Sequence, residues 1–228
     1  MNSNYYQKPH HGCGGCGGCS GCSQKNSNFP PFIPPTGPIN CTDLGPFRAI
    51  DAACIVPPAN TGSIIPFSSG VTTAILTSIA GGLVGTASLV GFGTAIPGVS
   101  VAWNTIDLSG VITEAFSVPR AGNITAISAS FTTLLALTLA GTTVTINAQV
   151  YRAPAGSNVF TATNATVDLI PPLTGVVAIG DTASATASVA PVPVAAGDRL
   201  LMVFTTSATG LDLVQTVTGT ASAGITIS

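Results

Sequence analysis

Cys13, Cys16, Cys19 and Cys22 repeat at Cys-x-x-Cys spacing, with only glycine and serine between them. His10 and His11 stand just before. Thiolates and imidazoles are zinc ligands, so a metal site is one reading. Structural zinc sites, however, hold two cysteine pairs about 12–20 residues apart, so that the chain can fold around the ion. Four cysteines within ten residues leave no such span. They also match part of a ferredoxin run, but nothing downstream completes it. Disulfide cross-linking between chains is the favoured reading, with free thiols of no defined role as the other. Cys41 and Cys54 flank a short lead-in, and either pair with each other or lock onto a neighbouring chain. In a reducing compartment these thiols start reduced and oxidise after release. No metal site is assigned.

Beyond Cys54 the usual catalytic residues are missing. Residues 55–228 contain no His, Lys or Cys. Those types supply most general bases, activated nucleophiles and soft metal ligands. What remains is Arg120, Arg152, Arg199, six carboxylates and hydroxyls. Asp107 and Glu114 form a notional glycosidase pair, which needs two carboxylates about 5–10 Å apart. Solvation of strand ends or loops is the plainer account. Asp198 follows Gly197 as a turn residue, with Arg199 as its partner or as the partner of a neighbouring protomer. The expectation is a protein with no catalytic residue and no cofactor, not an enzyme.

The surrounding composition is unusual. Charged residues make up 6% of the 228, against about 25% in an average domain. Threonine occurs 30 times and serine 20 times. Apolar residues reach 46%, so most of the chain is not disordered, since disorder pairs low hydrophobicity with high charge. A net charge of −2 offers no footprint for nucleic acid or an anionic membrane. The N-terminus has no apolar stretch of the kind a secretory signal peptide needs. Residues 74–95 are uncharged and long enough to span a bilayer as a helix. Five glycines interrupt them and no Lys/Arg flank sets an orientation. A second uncharged run, 121–151, alternates with period two. No membrane span is expected.

Three regions follow. Residues 1–28 form a Cys/Gly-rich tail, flexible unless cross-linked. Residues 29–62 form a proline-rich arm and lead-in. Its Phe29, Pro30, Phe32 and Ile33 suit an extended docking peptide as well as a stiff spacer. Residues 63–228 read as β throughout. In 143–151, Val144, Ile146, Ala148 and Val150 alternate with Thr143, Thr145, Asn147, Gln149 and Tyr151. Residues 182–189 and 216–227 alternate in the same way. The apolar run 200–204 predicts a strand buried on both faces. Turn signals recur at 119–123, 153–158, 171–172, 180–181 and 196–198. Many short strands with regular turns indicate an all-β sandwich or barrel. A surface so poor in charge suits contact between copies of the chain, because interface cores are depleted in charge.

Several separated motifs carry a resemblance. They are Ile64-Ile65-Pro66-Phe67-Ser68-Ser69-Gly70, the glycine-rich stretch 80–93, Ala115-Phe116-Ser117-Val118-Pro119-Arg120, Pro171-Pro172-Leu173-Thr174-Gly175 and Ala196-Gly197-Asp198-Arg199-Leu200-Leu201. Together they resemble the C-terminal domain of the BclB branch of the BclA-type exosporium proteins. The resemblance implies a trimeric jelly-roll β-sandwich, similar to the tumour-necrosis-factor fold, on the outer spore surface. Members of that family carry a collagen-like Gly-X-Y stretch, which is absent here apart from Pro35-Thr36-Gly37-Pro38. The Cys-rich leader and proline-rich arm resemble, in arrangement, the connectors of endospore appendage subunits.

The expected function is therefore a structural spore-surface protein, made in the mother cell without a signal peptide. Its homotrimers stack head to tail into fibres, or attach to exosporium or spore-coat anchor proteins through the arm. Phe29, Phe32 and Ile33 would anchor the arm and the cysteines would lock it. The alternative is a tip module that recognises a receptor or glycan, which would show clustered exposed aromatics such as Trp103 and Tyr151. No nucleic-acid or membrane partner is expected.

Overall fold

Val, Ile and Thr are stiff at χ1 and pack well on a pleated surface. The region rich in them folds into strands. A computed structural model describes residues 62–110 and 114–228, within the compact unit Ala59–Ser228. Cys13, Cys16, Cys19, Cys22, Cys41, Cys54 and the arm residues Phe29, Pro30, Phe32 and Ile33 lie outside the described residues.

In chain order the strands are β1 (Ser63–Ser68), β2 (Ala74–Ser78), β3 (Val84–Val90), β4 (Ala95–Ser100), β5 (Thr105–Asp107) and β6 (Phe116–Ser117). They continue with β7 (Gly122–Thr133), β8 (Leu137–Ala153), β9 (Val159–Asp168), β10 (Leu173–Val177), β11 (Thr182–Val194), β12 (Arg199–Gly210) and β13 (Thr216–Ile227). Every strand pair is antiparallel. The hydrogen-bonded order is β11-β7-β13-β2-β3-β12-β8-β9-β5, with β1 also on β13, β4 on β3, β6 on β12 and β10 on β8. The path does not return to its start, so no barrel closes.

The path instead doubles back into a β-sandwich. One wall is β11, β7, β13 and β1, and the other is β3, β12, β8 and β9. Ile127, Ala129 and Phe131 of β7 share a core with Val217, Ala221 and Ile225 of β13, Val144, Ile146 and Ala148 of β8, and Leu200, Met202 and Phe204 of β12. The rings of Phe131 and Phe204, 6.5 Å apart, join the walls. Each of the larger ones, Val, Leu, Ile, Met or Phe, contributes roughly 1.5–3 kcal/mol of transfer free energy when fully buried.

The run 200–204 behaves as its sequence predicts. Residues 200–206 are all buried. Leu201 and Val203 point away from the main core into a second one with Ala87, Leu89, Ile106, Leu108, Tyr151, Ala153 and Phe160. Ile96, Val99 and Val101, on and just after β4, pack against this second core. Tyr151, placed on the outward face by alternation, is therefore buried. Residues 74–95 form β2, β3 and the start of β4. Among the described residues, no helix is long and apolar enough to cross a membrane.

The sandwich has two distinct ends. At the entry end, Ser63 of β1 lies opposite Ile227, and Asn123 and Ser228 exchange backbone hydrogen bonds of 2.7 and 3.0 Å. At the opposite end lie the turns β2–β3, β7–β8, β10–β11 and β12–β13.

Candidate functional site

The most regular surface is the outward face of β11, β7, β13 and β1. Alternation puts apolar side chains inward and the intervening residues outward. Those outward residues are Thr182, Ser184, Thr186 and Ser188 on β11, then Ala126, Ser128, Ser130 and Thr132 on β7. Thr220, Ser222, Gly224 and Thr226 follow on β13, with Ile64, Pro66 and Ser68 on β1. No outward position on these four strands carries a charge.

Register makes the hydroxyls partners. Ser128 faces Thr186, Thr132 faces Thr182 and Ser130 faces Ser222. Their oxygens lie 2.7, 3.0 and 2.9 Å apart. A hydroxyl both donates and accepts, so the face satisfies part of its own hydrogen bonding without water. It is slightly concave around Ser128, Ser130, Ser184, Thr186 and Ser222.

The described arginines gather at the entry end. Asp198 is 3% exposed. Its Oδ2 lies 2.8 Å from Arg152 Nε and accepts the Ala195 N–H at 2.8 Å. Arg152 also donates to the Pro193 carbonyl at 2.9 Å. Of the two sequence readings for Arg199, a pair with Asp198 or one with a neighbouring protomer, the first is not what forms: Asp198 pairs with Arg152. Arg199 lies over the Phe160 ring, 5.0 Å from its centroid, and donates to Asn158 Oδ1 at 2.9 Å. The physical reason is that successive residues at a strand start diverge to opposite faces. Arg120 donates to the Ser63 hydroxyl at 3.4 Å.

Asp107 serves a local turn, and Glu114 ties its segment to Thr94. Asp107 accepts the Ser109 N–H at 2.9 Å. Hydrogen bonds from the Ser109 hydroxyl and backbone hold its carboxyl below the usual range. Glu114 accepts the Thr94 hydroxyl at 2.7 Å. Burial pushes the Tyr151 phenol up. Among the described residues, no group of three or more His, Cys, Asp or Glu is placed to hold a metal ion.

Trp103 stands apart. Ala102 and Thr105 exchange backbone bonds of 3.0 and 2.9 Å. Between them, Trp103 and Asn104 have φ of +51° and +59°, a two-residue turn of type I′. Asparagine tolerates this left-handed region, whereas tryptophan has no compensating local bond. The indole is 97% exposed. Phe92 is also exposed, with its ring 5.4 Å from that of Phe67. The hydroxyl pairs and the Arg152–Asp198 pair are missing from the sequence expectation. Alternating Thr/Ser hinted at the first, and only strand register reveals either.

No family model matches the chain. Collagen-like protein 1 of Acanthamoeba polyphaga mimivirus is 30% identical over 178 residues. The match covers 74% of this chain and 19% of that protein. The chain thus spans about a fifth of its relative's length. A match of this extent exceeds the 61 residues that precede Gly62, so more than half of it falls on the β domain.

Proposed function

We propose that this chain is a structural, self-assembling surface protein whose β domain forms a homotrimer. The observation that carries the reading is the uncharged face of β11, β7, β13 and β1. Burying a charge is costly, and burying a hydroxyl is cheap once it is hydrogen-bonded. This face presents hydroxyls already paired across strands and nothing ionised, which suits contact with other copies of itself. Two antiparallel walls in the orders β11-β7-β13-β1 and β3-β12-β8-β9 support a jelly roll of the tumour-necrosis-factor type. The viral relative adds support: a collagen triple helix needs three chains, so a β domain shared with a collagen-like protein is a natural trimerisation module.

In this reading, residues 1–62 link one trimer to the next or to a surface. Phe29, Pro30, Phe32 and Ile33 dock, and Cys13, Cys16, Cys19, Cys22, Cys41 and Cys54 form covalent cross-links. The resemblance of the motifs to exosporium proteins supports a spore surface as the place of assembly. The protein has no catalytic role and no cofactor. The test is light scattering on the full chain and on a variant with Ser130→Lys and Ser222→Lys, which places charge at the centre of the face. The wild type is expected at three times the chain mass or at whole multiples of that trimer mass, and the variant at one chain mass. A wild-type monomer, or a variant that stays trimeric, overturns the reading.

A second reading, a module that recognises a receptor or glycan, is favoured by Trp103 alone. Binding on a glycan array that disappears with Trp103→Asn would select it.

A further inference from the structure

β4 and β5 cover the part of their wall that carries Leu201, Val203 and Tyr151. Beyond that cover the outward positions turn polar. Register sets Val203 opposite Gln149, Thr205 opposite Asn147 and Ser207 opposite Thr145 on β12 and β8. It sets Gln149 opposite Thr166 and Asn147 opposite Asp168 on β8 and β9. The result is a shelf of Ser207, Thr145, Asn147, Gln149, Thr166 and Asp168, each at least partly exposed. It differs in kind from the hydroxyl face of the other wall, because it holds two amides and a carboxylate. Its side chains are already braced. Asn147 Nδ2 donates to Asp168 Oδ1 at 2.8 Å and to Thr166 Oγ1 at 2.9 Å, and Gln149 Nε2 donates to the Thr163 carbonyl at 2.8 Å. A carboxylate accepts about four bonds, so the one from Asn147 leaves Asp168 most of its capacity.

Trp103 stands where the cover meets the shelf. The Asn104 carbonyl accepts the Ala162 N–H at 2.9 Å, and the next residue of β9, Thr163, accepts the Gln149 amide. The hairpin tip therefore borders the shelf along β9. The indole adds little to the fold, since it is 97% exposed. Its backbone sits at φ +51°, a region that disfavours bulky side chains. A residue held in a disfavoured conformation without packing in return is explained by a contact outside the fold.

We infer that this step binds an uncharged oligosaccharide, with one sugar ring stacked on Trp103 and the hydroxyls of the next rings bonded along the shelf. The inference rests on the second reading above and names its site and ligand class. The C–H face of a pyranose is apolar and matches the flat indole. Its hydroxyls both donate and accept, which matches amides and a carboxylate. From the level of Ala162, which faces Tyr151, to Asn147 is four residues of β8, about 14 Å. That length suits a short chain of sugars better than a single one. Charge selects against an anionic ligand, because the shelf carries Asp168 and the described arginines lie at the entry end. The shelf and the hydroxyl face belong to different walls, so glycan binding and self-assembly do not compete for one surface.

Trp103 is the single tryptophan of the chain, so its fluorescence reports on the site directly. The full chain is screened on a glycan array. Chitotetraose, cellotetraose and mannotetraose are then titrated against its emission, with sialyllactose as the anionic comparison. A saturable shift with at least one neutral tetrasaccharide is expected, and no shift with sialyllactose. Asp168→Ala is expected to weaken that binding about tenfold or more, the loss of a hydrogen bond to a charged group; its unliganded emission and melting curve check that it is folded. Thr186→Ala, on the other wall, serves as the control and binds as the wild type does. A wild type that binds nothing on the array and none of the tetrasaccharides overturns the inference and the second reading together, and leaves self-assembly to its own test. Binding that Trp103→Asn abolishes but Asp168→Ala leaves unchanged refutes the shelf while the second reading stands. A preference for sialyllactose refutes the ligand class.

Discussion

Gly81 and Gly82 sit side by side in the β2–β3 turn, with φ of +87° and +73°. Alanine at either position meets the left-handed penalty of about 1–2 kcal/mol. Their surroundings differ. A Cβ at Gly81 meets nothing within 4 Å, whereas one at Gly82 lies 1.9 Å from the Ala208 carbonyl oxygen. Ordinary contact begins near 3.4 Å, so the turn and the end of β12 must part by more than an ångström. That movement breaks the 3.0 Å bond from the Ala208 N–H to the Gly82 carbonyl, a net loss of about 1 kcal/mol, with a further 1–3 kcal/mol for the buried groups left unpaired. Gly81→Ala is therefore expected to cost about 1 kcal/mol and Gly82→Ala about 4 kcal/mol. For a domain of this size, 1 kcal/mol shifts Tm by roughly 2–4 °C, which gives about 3 °C against about 12 °C. Urea and thermal melts followed by circular dichroism measure both. Equal shifts, or a larger one at Gly81, would refute the steric reasoning.

Asp198→Ala removes the acceptor of both the Ala195 N–H and Arg152, and is expected to cost about 3 kcal/mol in urea unfolding. Arg152 is partly solvated, which keeps the loss below that of a fully buried pair. Asp198→Asn retains an acceptor for Ala195, so about half of that cost is expected, and equal losses would contradict the two-bond account. The Tyr151 phenol is raised by burial, so above about pH 10 the unfolded chain ionises first and binds fewer protons. Stability is thus unaffected below that pH and falls as pH climbs toward the folded value, and Tyr151→Phe is expected to flatten this alkaline decline. Trp103→Asn replaces a poorly suited left-handed residue with a tolerant one, and is expected to stabilise by about 1 kcal/mol; a loss of stability would mean that the indole has a partner within the fold.

Much of the wall structure is legible from sequence because it depends on period alone. Val144 to Val150 and Val217 to Ile227 alternate cleanly, and those positions face the core. The apolar run 200–204 announced burial on both sides, though not what covers the second side. That cover comes from β4 and β5, whose Ile96, Val99 and Ile106 follow no simple period. Alternation places Tyr151 outward for the same reason: it names two faces but does not say whether both are dry. Asp198 finds Arg152 rather than its sequence neighbour because β12 and β8 run antiparallel, with Leu200 opposite Arg152, and that pairing is set by topology. The hydroxyl pairs depend on register across three strands, so alternating Thr and Ser suggested the face without its bonding. Trp103-Asn104 carries no ordinary turn signature, and its left-handed turn was invisible.

The cover over β12 also limits the valence of the module. Among the described residues, β4 and β5 cover part of one wall's outward side, over Leu201, Val203 and Tyr151, and the other wall leaves its hydroxyl face open. If copies of the module join, a fully open face and a partly covered one would not serve equally, and the open hydroxyl face would be used first. β4 and β5 would then act as a built-in outer cap that keeps Leu201 and Val203 out of any such contact.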